Sequence, residues 1–91
     1  GMSIREPSPL HRAALRGQAE EVESLLDSGA NIDEEDAAGQ TPLAIAVQRG
    51  HHVCVEVLLS RGADPHVPDA RGWIALHHAA SAGNEAVMAQ L

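Results

Sequence analysis

Six histidines, one cysteine and thirteen acidic side chains among 91 residues are the material from which this sequence could build a metal-binding or reactive centre. The tightest grouping is His51-His52 with Cys54, and a second histidine pair stands at His77-His78. A structural or catalytic zinc ion needs three or four ligands converging on a tetrahedron. Neighbouring residues on a helix point about 100° apart, so adjacent histidines diverge rather than converge. A metal site at His51, His52 and Cys54 therefore stands as an alternative reading, and the leading expectation is no metal and no cofactor. Paired carboxylates can perform general acid–base work when a closed pocket holds them. The acidic residues of 20–23 and the run Asp33-Glu34-Glu35-Asp36 fall in an outer helix and a projecting turn instead. No Ser/His/Asp, Cys/His or phosphate-loop arrangement has supporting context, and the chain is expected not to be an enzyme.

The elements that carry these residues repeat. Shifting the chain by 33 positions superimposes Ser8, Thr41 and Ile74, then Leu10, Leu43 and Leu76, then Ala13, Ala46 and Ala79, then Gly17, Gly50 and Gly83, without a gap. Val22, Val55 and Met88 also coincide, as do Leu25, Leu58 and Leu91. Gly29-Ala30 matches Gly62-Ala63, and Asp36-Ala37-Ala38-Gly39 matches Asp69-Ala70-Arg71-Gly72. A fixed period of this length is the signature of a solenoid, in which each unit buries its apolar face on the next. In Ser8-Pro9-Leu10-His11-Arg12-Ala13-Ala14, Thr41-Pro42-Leu43, Gly50-His51 and Leu58-Leu59-Ser60-Arg61-Gly62-Ala63 the chain resembles the ankyrin repeat family. The resemblance covers Ser8 to Leu91. It implies an all-α solenoid of antiparallel helix pairs joined by β-hairpin fingers, with a structural role for His11 and His77 in tying the turn together and with His51 at the common Gly-His helix start. It also implies a protein-binding surface along the inner helices and the finger tips.

Local chemistry agrees with that plan. Residues 1–7 read as an irregular entry segment, with Gly1 before Met2 taken as a tag remnant. Ser8 and Thr41 suit helix N-caps, and Pro9 and Pro42 the first helical turn, because proline has no N–H to leave unpaired there. Inner helices are expected to Arg16 and Arg49, and outer helices over residues 20–27 and 53–60. Gly29 and Gly62 follow the outer helices in the place a left-handed residue prefers. The finger over 64–73 is stiffened by Pro65 and Pro68. The units span about 8–40, 41–73 and 74–91. The third has Ile74-Ala75 where Thr-Pro stood, and it stops partway through its outer helix.

The composition excludes several partner classes. A net charge of −7 with no lysine does not suit a surface that tracks phosphates. Trp73 is the only aromatic residue, so stacking platforms for single-stranded bases are missing. One cysteine forms no internal disulfide, which suits a reducing compartment. No apolar run reaches membrane-spanning length and the N-terminus lacks a signal-peptide core. The expectation is an intracellular protein that binds neither nucleic acid nor membrane.

What remains is a protein partner. The row Arg12, Leu15 and Arg16, then Ile45, Gln48 and Arg49, then His78, Ser81 and Ala82 is expected to be exposed along the inner helices, with Leu10, Leu43 and Leu76 filling the space between them. Trp73 and Arg71 at the second finger, and Asp33, Glu34, Glu35 and Asp36 at the first, complete the candidate surface. The acidic run would steer a partner with a basic surface. By the resemblance, Asp33 and His66 fall where an asparaginyl hydroxylase modifies ankyrin repeats, each with a leucine eight residues earlier, Leu25 and Leu58. The third unit carries no polar cap, so its C-terminal end is expected either to fray or to self-associate, with a two-fold homodimer as the simplest closed form. The function expected is a non-catalytic interaction module. Its alternatives are the His51/His52/Cys54 metal site or a regulatory repeat domain of a larger enzyme.

Overall fold

The computed structural model describes residues 7–91, so all of the entry segment except Pro7 lies outside the described residues. Helices α1 (Pro9–Arg16) and α2 (Ala19–Asp27) form the first pair, α3 (Pro42–Gln48) and α4 (His52–Ser60) the second, α5 (Ala75–Ala82) and α6 (Glu85–Gln90) the third. The helices begin where side chains can satisfy their free amides. Ser8 Oγ accepts from His11 N–H at 3.2 Å and Thr41 Oγ1 from Ala44 N–H at 3.2 Å, each followed by proline. Such caps contribute about 1 kcal/mol apiece. Ile74 offers no acceptor, and only the reverse contact survives there, Ile74 N–H donating to His77 Nδ1 at 3.0 Å.

The first inner helix stops at Gly17, whose φ of 73° lies in the left-handed region. That glycine also meets the next unit. A methyl group on it would lie 2.8 Å from His51 Nδ1, while the ring's Nε2–H donates to Leu15 O at 3.1 Å. The turn of one unit is thereby tied to the start of the next outer helix.

Inner helices α1, α3 and α5 pack side by side, and α2, α4 and α6 form a second layer behind them. Between the layers lie Leu10, Val22, Leu43, Val55, Leu58 and Val87, all essentially without solvent contact. Ala13, Ala46 and Ala79 bring the helices close enough to seal this core. Full burial of each leucine contributes about 2–3 kcal/mol.

The joining segments differ from the expected hairpins. No strand forms among the described residues. Each finger is a turn closed by Gly39 N–H to Asp36 O or Gly72 N–H to Asp69 O, both 2.9 Å, with a single further rung, Asp36 N–H to Gln40 O at 3.0 Å or Asp69 N–H to Trp73 O at 2.9 Å. One backbone–backbone bond joins the two fingers, Ala70 N–H to Ala38 O at 2.9 Å. The reason is a shortage of free donors. The carboxylates of Asp36 and Asp69 capture the amides of Ala38, Gln40, Arg71 and Trp73, and Pro65 and Pro68 have none to give.

The third unit also departs from expectation. Leu10 and Leu43 are 1% and 0% exposed, but Leu76 in the same register is 46% exposed. Leu10 and Leu43 each have the next inner helix against them, and α5 has no such neighbour among the described residues.

Candidate functional site

The exposed edge of the inner helices and the bases of the fingers enclose a groove with two basins. The first, about 220 Å³, is lined by Pro7, His11, Arg12, Leu15, Asp36, Gln40, Ile45, Gln48 and Arg49. The second, about 300 Å³, lies against Gln48, Arg71, Trp73, His78, Ser81 and Ala82. Gln48 belongs to both, so the two basins adjoin at the second inner helix. The placement follows from helix periodicity: Leu10, Ala13 and Ala14 turn inward, which leaves Arg12, Leu15 and Arg16 outward.

His11 forms the back wall of the first basin and is held rigidly. Its Nδ1 accepts from Ser8 Oγ at 2.7 Å and Ser8 N–H at 3.3 Å, and its Nε2–H donates to Gln40 O at 2.8 Å. Both ring nitrogens are used in joining the first helix to the first finger base. The wall of the second basin is built around Asp69. Its Oδ1 accepts from Arg71 N–H at 2.8 Å and Trp73 N–H at 3.0 Å, and its Oδ2 from His78 Nε2–H at 3.0 Å. Burial pushes the Asp69 carboxyl upward, but the Trp73 and Arg71 amides and the histidine together outweigh it, and its pKa lies below the usual carboxylate range. Trp73 is half-buried, its ring centroid 5.2 Å from that of His78, with the Arg71 guanidinium 4.7 Å above it.

Several candidates sit differently from their sequence reading. His78 is buried, 5% exposed, because Asp69 and Trp73 enclose it, and only its edge reaches the groove. Ile45 is 9% exposed and forms the floor rather than the rim. Of the four finger carboxylates, Asp36 is spent on its own turn through Ala38 and Gln40 N–H, both at 2.9 Å. Asp33 accepts from Asp64 N–H at 3.0 Å, tying two fingers together. Glu34 and Glu35 alone stand fully in solvent. Asp33 is half-buried and His66 exposed, its own N–H on Asp64 Oδ1 at 2.8 Å.

The alternative metal site is not assembled. His51 is committed to Leu15 O, His52 is exposed, and Cys54 lies wholly within the core, where burial pushes its thiol pKa up and away from the thiolate a metal requires. Among the described residues no three His, Cys, Asp or Glu side chains are grouped to hold a metal ion. His77, read as a structural twin of His11, keeps the Ile74 contact but is exposed.

The acceptor role of Asp69 was missed by sequence reasoning. The recurrence of Asp-x-x-Gly at Asp36 and Asp69 was the available signal, since an aspartate three residues before a glycine caps its own turn.

Residues 3–69 match the family model described as ankyrin repeats (3 copies), and residues 50–89 match a second, ankyrin repeats (many copies). No curated protein is significantly similar to the chain. No helix among the described residues is long and apolar enough to cross a membrane.

Proposed function

The chain belongs to the ankyrin repeat family, whose repeats generally mediate protein–protein interaction, and from that premise we propose that it is a non-catalytic module that grips a protein partner along the two-basin groove. One observation carries this reading. The groove is walled by hydrogen-bonded side chains, His11 through both ring nitrogens and Asp69 through three donors that include His78 Nε2–H, while Leu15, Gln48, Arg49 and Trp73 keep surface free for contact. Rigid walls lower the ordering cost of binding, and tryptophan and arginine are the residue types that most often anchor interfaces. Glu34 and Glu35 are exposed on the first finger and do not line either basin, so they lie outside the grip itself.

The test is selection of peptides from an unbiased display library on the intact chain. Bound peptides should lose at least ten-fold affinity for Arg49→Ala and Trp73→Ala, and should be indifferent to Glu23→Ala on the outer layer. Peptides that ignore both groove substitutions would remove the groove from the account.

A further inference from the structure

The chain is acidic overall, yet three of the five arginines in the described region line the groove. It has no lysine, and among the described residues Arg61 is the one arginine in an ion pair, with Asp27 at 2.7 Å. Arg12 and Arg49 line the first basin and Arg71 the second, and none of them meets a carboxylate within ion-pair distance among the described residues. The carboxylates sit elsewhere. Glu20, Glu21, Glu23, Glu56 and Glu85 are exposed on the outer layer. Among the described residues Asp36 is the one carboxylate lining the first basin, and its Oδ1 already accepts two finger amides. The Asp69 carboxylate behind the second basin is buried on three donors.

Exposed charges are screened over about 8 Å at physiological ionic strength. A ligand in the groove therefore meets the local set of guanidiniums and not the net charge of the chain. Between the arginines lie Leu15 and the floor residue Ile45, an apolar spot large enough for one side chain. The Arg71 guanidinium carbon lies 4.7 Å from the Trp73 ring centroid, and a guanidinium beside an aromatic face can still meet a carboxylate through two N–H groups.

We propose that the groove is specific for an acidic peptide segment of the partner, one aliphatic side chain resting on Leu15 and Ile45 with glutamate or aspartate on both sides of it, against Arg12 and Arg49 in one basin and Arg71 in the other. This rests on the reading of the groove as the interaction surface and gives its ligand a chemistry. A basic segment is the partner the solvated finger carboxylates by themselves would favour, and it is the competing outcome.

Trp73 makes the measurement direct, because it is the only aromatic residue of the chain and lies in the second basin. Intrinsic fluorescence is titrated with an acetylated, amidated Glu-Glu-Leu-Glu-Glu peptide, with its Gln-Gln-Leu-Gln-Gln analogue and with Lys-Lys-Leu-Lys-Lys. The acidic peptide should saturate at least ten-fold below either of the others. Arg12→Glu and Arg49→Glu, with circular dichroism unchanged, should each weaken it at least five-fold, and Arg49→Glu should gain affinity for the lysine peptide. If the lysine peptide binds the unaltered chain as well or better, the groove remains an interaction surface and the acidic specificity is overturned. If no peptide binds up to millimolar concentration, the inference and the reading beneath it both fall.

Discussion

Asp36 and Asp69 occupy the same place in consecutive fingers, but Asp69 alone has a histidine against its second oxygen, because His78 stands where the preceding unit has Ile45. The difference should appear in stability. Asp69→Ala strands three donors around a buried site and is expected to cost roughly 3 kcal/mol, whereas Asp36→Ala frees two amides at a half-exposed turn and should cost about 1–2 kcal/mol. Urea denaturation of the two variants compares them. The pH dependence has a fixed sign: the folded-state pKa of Asp69 is depressed, so its contribution is complete above the unfolded aspartate value of about 4 and is lost as pH falls through the lower folded value. The stability gap between the wild-type chain and Asp69→Asn should therefore close in acid. A gap unchanged at pH 2 would show that the charge plays no part. None of this was legible residue by residue. The acidic run Asp33 to Asp36 reads as four solvated charges until the backbone amides that claim Asp33 and Asp36 are in place, and His78 reads as exposed until Asp69 folds over it.

The elements were more legible than the contacts between them. Ser8-Pro9 and Thr41-Pro42 mark helix starts because cap and proline chemistry is local, and Gly17 marks a stop for the same reason. The β-hairpin fingers that the resemblance implies do not appear as strands among the described residues, because donor competition from an aspartate within the turn is invisible to periodicity. Two substitutions test the element-level account. Ile74→Thr restores the missing acceptor at the start of α5 and should stabilise the chain by about 1 kcal/mol, read as a rise in melting temperature. Gly39 and Gly72 both have positive φ, at 75° and 80°. A methyl on Gly39 would also stand 2.9 Å from the Ala70 backbone nitrogen, while one on Gly72 meets open space. Gly39→Ala should consequently destabilise more than Gly72→Ala, which bears about 1 kcal/mol of left-handed strain alone. Equal losses would mean that the two fingers do not press on each other.

For the whole molecule, the stacking of inner helix on inner helix creates the groove and, among the described residues, leaves α5 without an inner helix on its far side. Leu76 and Ala80 of the third unit are exposed, while their equivalents in the first two, Leu10 and Leu43 and then Ala14 and Val47, are buried. A second copy meeting this end about a two-fold axis would bury Leu76. Sedimentation equilibrium should accordingly show concentration-dependent association that Leu76→Glu abolishes; association that survives the substitution uses another face. The period of 33 residues made the stack readable from Leu10, Leu43 and Leu76, but not which of those leucines would be covered, since that depends on a neighbour rather than on the residue itself.

The groove is the claim on which the functional account rests, and backbone amide chemical shifts map it residue by residue. On titration with the tightest peptide from the display selection, the largest shifts should fall on Leu15, Gln48, Arg49 and Trp73, with Glu23 and Glu56 on the outer layer unmoved. Shifts concentrated on α2 and α4, with Gln48 and Trp73 silent, would contradict it.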